Sequence, residues 1–485
     1  MAKERSSTLN TSINVVCSVG VLIVNICISF FLSPYIIKTL GVEANGFVNL
    51  ANNFISYANL VVTALNAMAI RFITIAYVNK DYKRANLYYN SVFWGNIIIV
   101  AVLLLPAVFL IYKIEAFIDV APELVFDVKV LFSIVFLTFF AKTAAPNWDC
   151  GTGISNRMDL TYIPSMVLSL FRGVFLFAVL SLLTPHIWFV GLASMIVSLF
   201  ELGVGYRNTS TLTPELKIEF RKPFCSLRVI VELVGSGIWN SISIAGNTLL
   251  SGLDLLICNI NIGATAMGIV SISKVIPNLL IQLSESIRSA FAAEMMINYA
   301  KGDKIKLEAC IQRAMKIMSV VITIPTAGII VMSDALYTLW VPSQDAFLLQ
   351  RLSTLTILNY VFTSGAAVLF NVYTMVNKVR YNSVAMIISG LVSVLVTLAF
   401  IKYTSFGIYA VAGISSVVTI LKNILFVLPS TAVLLGFKWY KFYPQVLVSI
   451  ICSCVIILEG KAVRLIMPTN TWFTFLMACC VIGII

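Results

Sequence analysis

Asn52, Ser56, Asn59, Thr63 and Asn66 are spaced 4, 3, 4 and 3 residues apart within an otherwise apolar stretch, VNLANNFISYANLVVTALNAMAI. That spacing puts all five on one face of a helix, and the stretch is long enough to cross a bilayer. At a constant offset of 222 residues the same positions read Lys274, Asn278, Ile281, Glu285 and Arg288. The polar face has become a charged one. Amides, hydroxyls and fixed charges recognise a passing solute rather than break its bonds. They are costly in hydrocarbon, so both faces are expected to look into a bundle interior or a water-filled cavity. A polar and a charged helix in matching positions suggest a transporter built from two similar halves.

Other residues extend the pattern. Asn240, Ser243, Asn247, Ser251 and Asp254 form a polar line just before the charged helix, and Asn25 and Ser29 stand in the first apolar run. Arg71 lies at the end of the polar helix and Arg172 inside another apolar run. The functional reading is a cationic cavity between the halves that takes an anionic substrate. Its substrate-binding candidates are Lys274, Arg288, Arg172, Arg71, Asn52, Asn59, Asn66, Asn25, Asn247 and Asn278, with Asp254 and Glu285 as coupling-ion residues for H+ or Na+. The bland reading stands beside it: Glu285 pairs with Arg288 three residues on, Asp254 holds Lys274, Arg71 and Arg288 snorkel to the surface, and the asparagines bond between helices.

Catalysis and cofactors find no support. No Walker-type loop, paired acid–histidine cluster or large loop is present, and the single His186 lacks companions for a metal site. The ten cysteines are scattered, mostly in apolar segments, as small hydrophobes are. No enzyme, metal or cofactor is therefore expected.

Composition identifies the elements that carry these residues. The chain has 485 residues, 60% of them hydrophobic and 11% charged, with mean hydropathy +0.97. That excludes an ordinary soluble domain and predicts an all-α, polytopic membrane protein. Fourteen apolar segments can be counted, or thirteen if the short last one does not cross. The net charge of +12 sits in short loops, where it sets topology rather than attracting nucleic acid. Lys3, Arg5, Lys80, Lys83, Arg84, Arg157, Lys217, Arg221, Lys222, Arg228, Lys301, Lys304, Lys306, Lys378, Arg380, Lys438 and Lys441 fall on one side, expected to be cytoplasmic along with both termini; Lys461 and Arg464 break the rule. The first apolar run reads as a retained helix, not a signal peptide.

The offset recurs. Asn25 matches Asn247, Gly41 matches Gly263, Gly46 matches Gly268, Tyr77 matches Tyr299 and Asp81 matches Asp303. An even number of spans per repeat makes the halves parallel rather than inverted. The expected organisation is a six-helix lobe over 1–212, a basic linker over 213–228, a second six-helix lobe over 229–436, and two added transmembrane helices over 437–485.

Pro34, the short Leu40-Gly41 loop with Gly46, the run from Arg71 to Asp81 and Ala85 carry a resemblance to the polysaccharide-transport, O-antigen flippase family. That family belongs with the multidrug extruders and lipid II flippases. The repeat returns the same form at Gly263, Gly268 and Asp303. The resemblance implies a two-lobed carrier of the bacterial inner membrane. Acting as a monomer by alternating access, it would turn undecaprenyl-pyrophosphate-linked oligosaccharide toward the periplasm for O-antigen, capsule or exopolysaccharide synthesis. Cationic residues would meet the pyrophosphate and Asn and Ser the sugar hydroxyls, with membrane lipids and the polysaccharide polymerase machinery as further partners. An ion-coupled multidrug or small-metabolite exporter of the same fold is the alternative.

Overall fold

The computed structural model describes residues 7–219 and 226–484, and among them regular structure is entirely helical. Lys3, Arg5, Arg221 and Lys222, used above for topology, and Cys225 lie outside the described residues. The main helices are α1 (Ser7–Leu40), α2 (Val42–Asn66), α3 (Ala69–Val78), α4 (Tyr82–Tyr112), α5 (Val125–Ala144), α6 (Asp159–Leu182), α7 (Trp188–Leu212) and α8 (Leu227–Asn247). They continue as α9 (Asp254–Asn261), α10 (Ala264–Ser273), α11 (Val275–Ala300), α12 (Lys304–Trp340), α13 (Ala346–Thr363), α14 (Phe370–Met375) and α15 (Val379–Tyr403). The last are α16 (Ile408–Lys422), α17 (Leu428–Leu434), α18 (Tyr443–Ile466) and α19 (Trp472–Ile484). Among the described residues twelve helical spans are long and apolar enough to cross a membrane, and α10 with α11 make a thirteenth if that bent pair is one span. Many of their large apolar side chains, such as Phe31, Leu105, Phe126 and Val174, point outward, as surfaces facing lipid do.

The repeat is visible in backbone detail. Gly41 and Gly263 both take positive φ, 91° and 132°, immediately before a span. Lys80 and Gly302 stand 222 residues apart and are both left-handed, at 61° and 69°. Glycine meets that geometry without strain, whereas Lys80 pays for its Cβ. The next residues, Asp81 and Asp303, cap α4 and α12 by accepting from Arg84 N at 3.1 Å and Lys306 N at 3.0 Å, satisfying donors that every helix start leaves over. The Lys306 backbone N–H and the Lys306 ammonium, both bonded to it, hold the Asp303 carboxyl below its ordinary value.

Two compact units divide the chain, Met1–Ser241 and Ile242–Ile485. In the first, α1 packs on α6, α5 on α7, and α3 on α4. Ile73, Ala85, Tyr88, Val92 and Leu233 form part of its core. In the second, α12 is the hub for α11, α13 and α18, and Ile311, Met315, Met318, Val372 and Phe442 are buried around it.

Candidate functional site

In the first unit, α2 carries Asn52, Ser56 and Asn59 on an exposed face. Asn52 Nδ2 donates to the Val48 carbonyl at 3.0 Å, and Ser56 Oγ to the Asn52 carbonyl at 3.2 Å. These polar atoms are bonded to their own helix, leaving the stripe open outward. Asn66 is different. Its Nδ2 donates to Asn96 Oδ1 at 2.8 Å, and Asn96 Nδ2 returns the bond at 3.2 Å, so it ties α2 to α4. Asn25 accepts from Ser169 Oγ at 2.9 Å and ties α1 to α6. Arg71 is exposed on α3, and Arg172 is half-buried on α6 with a buried Nε that has no hydrogen-bond partner among the described residues.

The same unit holds a charged group that sequence reasoning missed. Lys142 of α5 pairs with Glu201 of α7 at 3.0 Å, and Ser165 of α6 donates to Glu201 at 3.4 Å. A glutamate in the apolar run WFVGLASMIVSLFELGVGY was the available signal. The linker is also pinned. Asn86 Nδ2 donates to the Glu215 carbonyl at 2.7 Å, and its Oδ1 accepts from Lys217 N at 2.9 Å. Asn90 repeats the pattern one turn later, donating to the Lys217 carbonyl at 2.9 Å and accepting from Glu219 N at 2.7 Å. Side-chain amides spaced i, i+4 thereby bind residues 215–219 as a neighbouring strand would.

In the second unit, Lys274 sits where α10 and α11 meet at 43°. The cause of the bend lies three residues on. Pro277 has no N–H for the Ser273 carbonyl, which instead accepts from Ser353 Oγ at 2.8 Å. The Tyr337 hydroxyl, 2.5 Å from Ser353 Oγ, completes the chain. Lys274 Nζ donates to Asp254 Oδ2 at 2.5 Å and to the Ser251 carbonyl at 3.1 Å. That carbonyl is available because residues 248–252 form a wide π-helical turn before α9. The Lys274 and Asp254 side chains are 15% and 7% exposed. Arg288 is paired with Glu285 on the same helix, and its carbonyl accepts from Asn371 Nδ2 at 2.9 Å. Asn247, Asn278 and Glu285 are exposed. The structure therefore brings together Lys274 with Asp254 and Arg288 with Glu285, while the side chains of Asn247 and Asn278 make no hydrogen bond to either pair among the described residues.

Arg464, which breaks the charge rule, forks onto Asp334 of α12, with Nη1 also donating to the Val331 carbonyl at 2.8 Å. Gln350 Nε2 adds a contact to Asp334 at 3.4 Å. Its charge is met inside the unit, docking α18 on α12.

No family model matches the chain. It is 25% identical over 468 residues to a Bacillus subtilis (strain 168) protein described as an uncharacterized membrane protein, EpsK, covering 95% of this chain and 91% of that one. Among solved structures, the lipid II flippase MurJ in its inward closed conformation matches with a TM-score of 0.69 and 15% identity over 97% of each chain. An inward-facing multidrug resistance MATE family transporter of the MOP superfamily matches at 0.66 and 14% identity, covering 89% of this chain and 99% of that one. The fold is thus the one these proteins share, and the chain is a multi-pass membrane protein of that architecture.

Proposed function

We propose that this protein is a flippase that moves undecaprenyl-pyrophosphate-linked oligosaccharide from the cytoplasmic to the periplasmic leaflet of the bacterial inner membrane by alternating access. The carrying observation is the open face of α2: Asn52, Ser56 and Asn59 leave amide and hydroxyl edges exposed within a 37-residue apolar span. Such edges suit sugar hydroxyls, and exposing them in hydrocarbon would be costly. Arg71 and Arg172 supply positive charge for the pyrophosphate in the first unit. In the second, Lys274 and Arg288 could engage an anion by exchanging their carboxylate partners for it. The lipid II flippase, matched over 97% of each chain, is a precedent for a lipid-linked cargo on this fold.

One observation favours the exporter reading: Lys274 and Arg288 each already have an acid, so that helix face is less cationic than its sequence. Binding to the purified full-length chain separates the two. A short-chain polyprenyl-pyrophosphate oligosaccharide should bind and lose affinity in Arg71→Ala and Arg172→Ala. Binding of a lipophilic cation alone would favour the exporter.

A further inference from the structure

Lys422 closes α16 in the middle of the apolar run VVTILKNILFVL, and is 8% exposed. Its Nζ lies 2.9 Å from Met386 Sδ and 5.3 Å from the centre of the Phe370 ring. A thioether is a weak acceptor, and a ring face offers a charge far less than a carboxylate does. Asp254 is the one acid among the described residues of the helices packed against α16, and Lys274 holds it; α18, which meets the following turn where the Tyr443 hydroxyl donates to the Ile424 carbonyl at 2.7 Å, carries its acid, Glu459, sixteen residues beyond that contact. The bases on the helices packed against α16 are Arg351, Arg380 and Lys402. The remaining titratable groups there are Tyr360, Tyr381, Tyr403, Cys258 and, on α16 itself, Tyr409, with Tyr443 bonded to the Ile424 carbonyl and Tyr373, on the helix of Phe370, bonded to Ser430. None is ion-paired with Lys422 among the described residues. An intramembrane base without an acid is expensive to keep unless it has a task.

The backbone around it is already irregular. Residues 423–427 form a π-helical turn, placed just before Pro429, whose ring and missing N–H disturb the preceding turn. Residues 364–369 are 3-10 helical and lead into Phe370. Asn423 joins the two segments through Nδ2 to Thr363 Oγ1 at 3.0 Å, and its Oδ1 is buried without a hydrogen-bond partner among the described residues. Met386 is fixed from behind: a Cβ on Gly246 would stand 2.5 Å from the Met386 carbonyl carbon. Irregular turns with spare backbone and amide acceptors are the places where water enters a membrane helix bundle at low cost.

We propose that Lys422 is a proton-binding site of the second unit, and that loading it is linked to opening of the turns at 364–369 and 423–427. This deepens the carrier reading, on which its role as the coupling site for transport rests. A charge on Lys422 is tolerated where water and the Asn423 Oδ1 acceptor reach it, and is costly in the packing described. Proton uptake and opening therefore favour one another, and acidification drives the opening.

Hydrogen–deuterium exchange on the full-length protein in lipid nanodiscs tests this without any cargo. After correction for the chemical pH dependence of exchange, opening of peptides covering 364–369 and 423–427 should rise as pH falls, by up to about tenfold per pH unit for one linked proton. In Lys422→Met the profile should be flat and low, and in Lys422→Arg flat and high. A flat wild-type profile, or the same slope in Lys422→Met, overturns the proposal. If Lys422→Met does not fold, the wild-type slope and Lys422→Gln decide in the same way. A Lys422-dependent slope in a protein that fails to bind lipid-linked sugar sinks the cargo reading alone; a flat slope in a protein that flips it sinks the proton site alone.

Discussion

Replacing Lys274 by Ala strands Asp254, a carboxylate whose side chain is 7% exposed and whose strongest partner is the lost ammonium. Removing one member of a buried pair costs roughly 3–5 kcal/mol, whereas removing both members often costs little. For a unit of this size about 1 kcal/mol shifts Tm by roughly 2–4 °C. Lys274→Ala should therefore lower the melting temperature in detergent by about 6 °C or more, and Asp254→Ala similarly, since Lys274 would keep only the Ser251 carbonyl at 3.1 Å. The double variant should recover most of the loss. The cycle also separates two roles in transport. If Lys274 merely neutralises Asp254, the double variant regains cargo translocation; if it engages the cargo, stability returns and translocation does not. Additive losses in Tm, with no recovery in the double variant, would refute the assignment of these groups as a coupled buried pair.

Arg464→Ala should destabilise α18 against α12 by about 3 kcal/mol because Asp334 is left buried, read as faster hydrogen exchange in 443–466, and Arg464→Lys should restore only part because the fork is lost. Asn90→Ala removes the bonds to Lys217 and Glu219, worth about 2 kcal/mol together, so limited trypsin should cut after Lys217 more than tenfold faster. Asp303→Ala should lower Tm through loss of its cap on α12, and Asp303→Asn should lose less. The carboxyl is held below its ordinary value, so its stabilisation is present at neutral pH. Its margin over Asn should shrink as pH falls past 3.8 and through the folded value, checked by melting curves across pH.

Much of this architecture was legible because lipid imposes a simple grammar. Long apolar runs must be helices, and the 222-residue offset linking Gly41 to Gly263 reappears as paired positive φ angles. Candidate residues were legible as types at membrane depth, and two pairs, Glu285 with Arg288 and Asp254 with Lys274, as partners as well; most other contacts were not. Asn52 and Asn66 lie on one predicted face, yet Asn52 bonds its own helix and Asn66 reaches Asn96, because only packing decides which end of a stripe meets a neighbour. Arg464 and Asp334 are 130 residues apart, a distance at which helical periodicity says nothing. Lys422 and Glu201 were readable as single charges in apolar runs, yet a repeat-based comparison gave them no weight because neither lies on the stripes that the offset aligns.

The sidedness of undecaprenyl-pyrophosphate-linked oligosaccharide in cells lacking this protein distinguishes a flippase from an exporter of another solute. The expected result is accumulation in the cytoplasmic leaflet, cured by the wild-type chain and not by the Lys274→Ala and Asp254→Ala double variant expressed to the same level. Normal sidedness in cells that have no second flippase would contradict the account and leave export of another solute as the better reading.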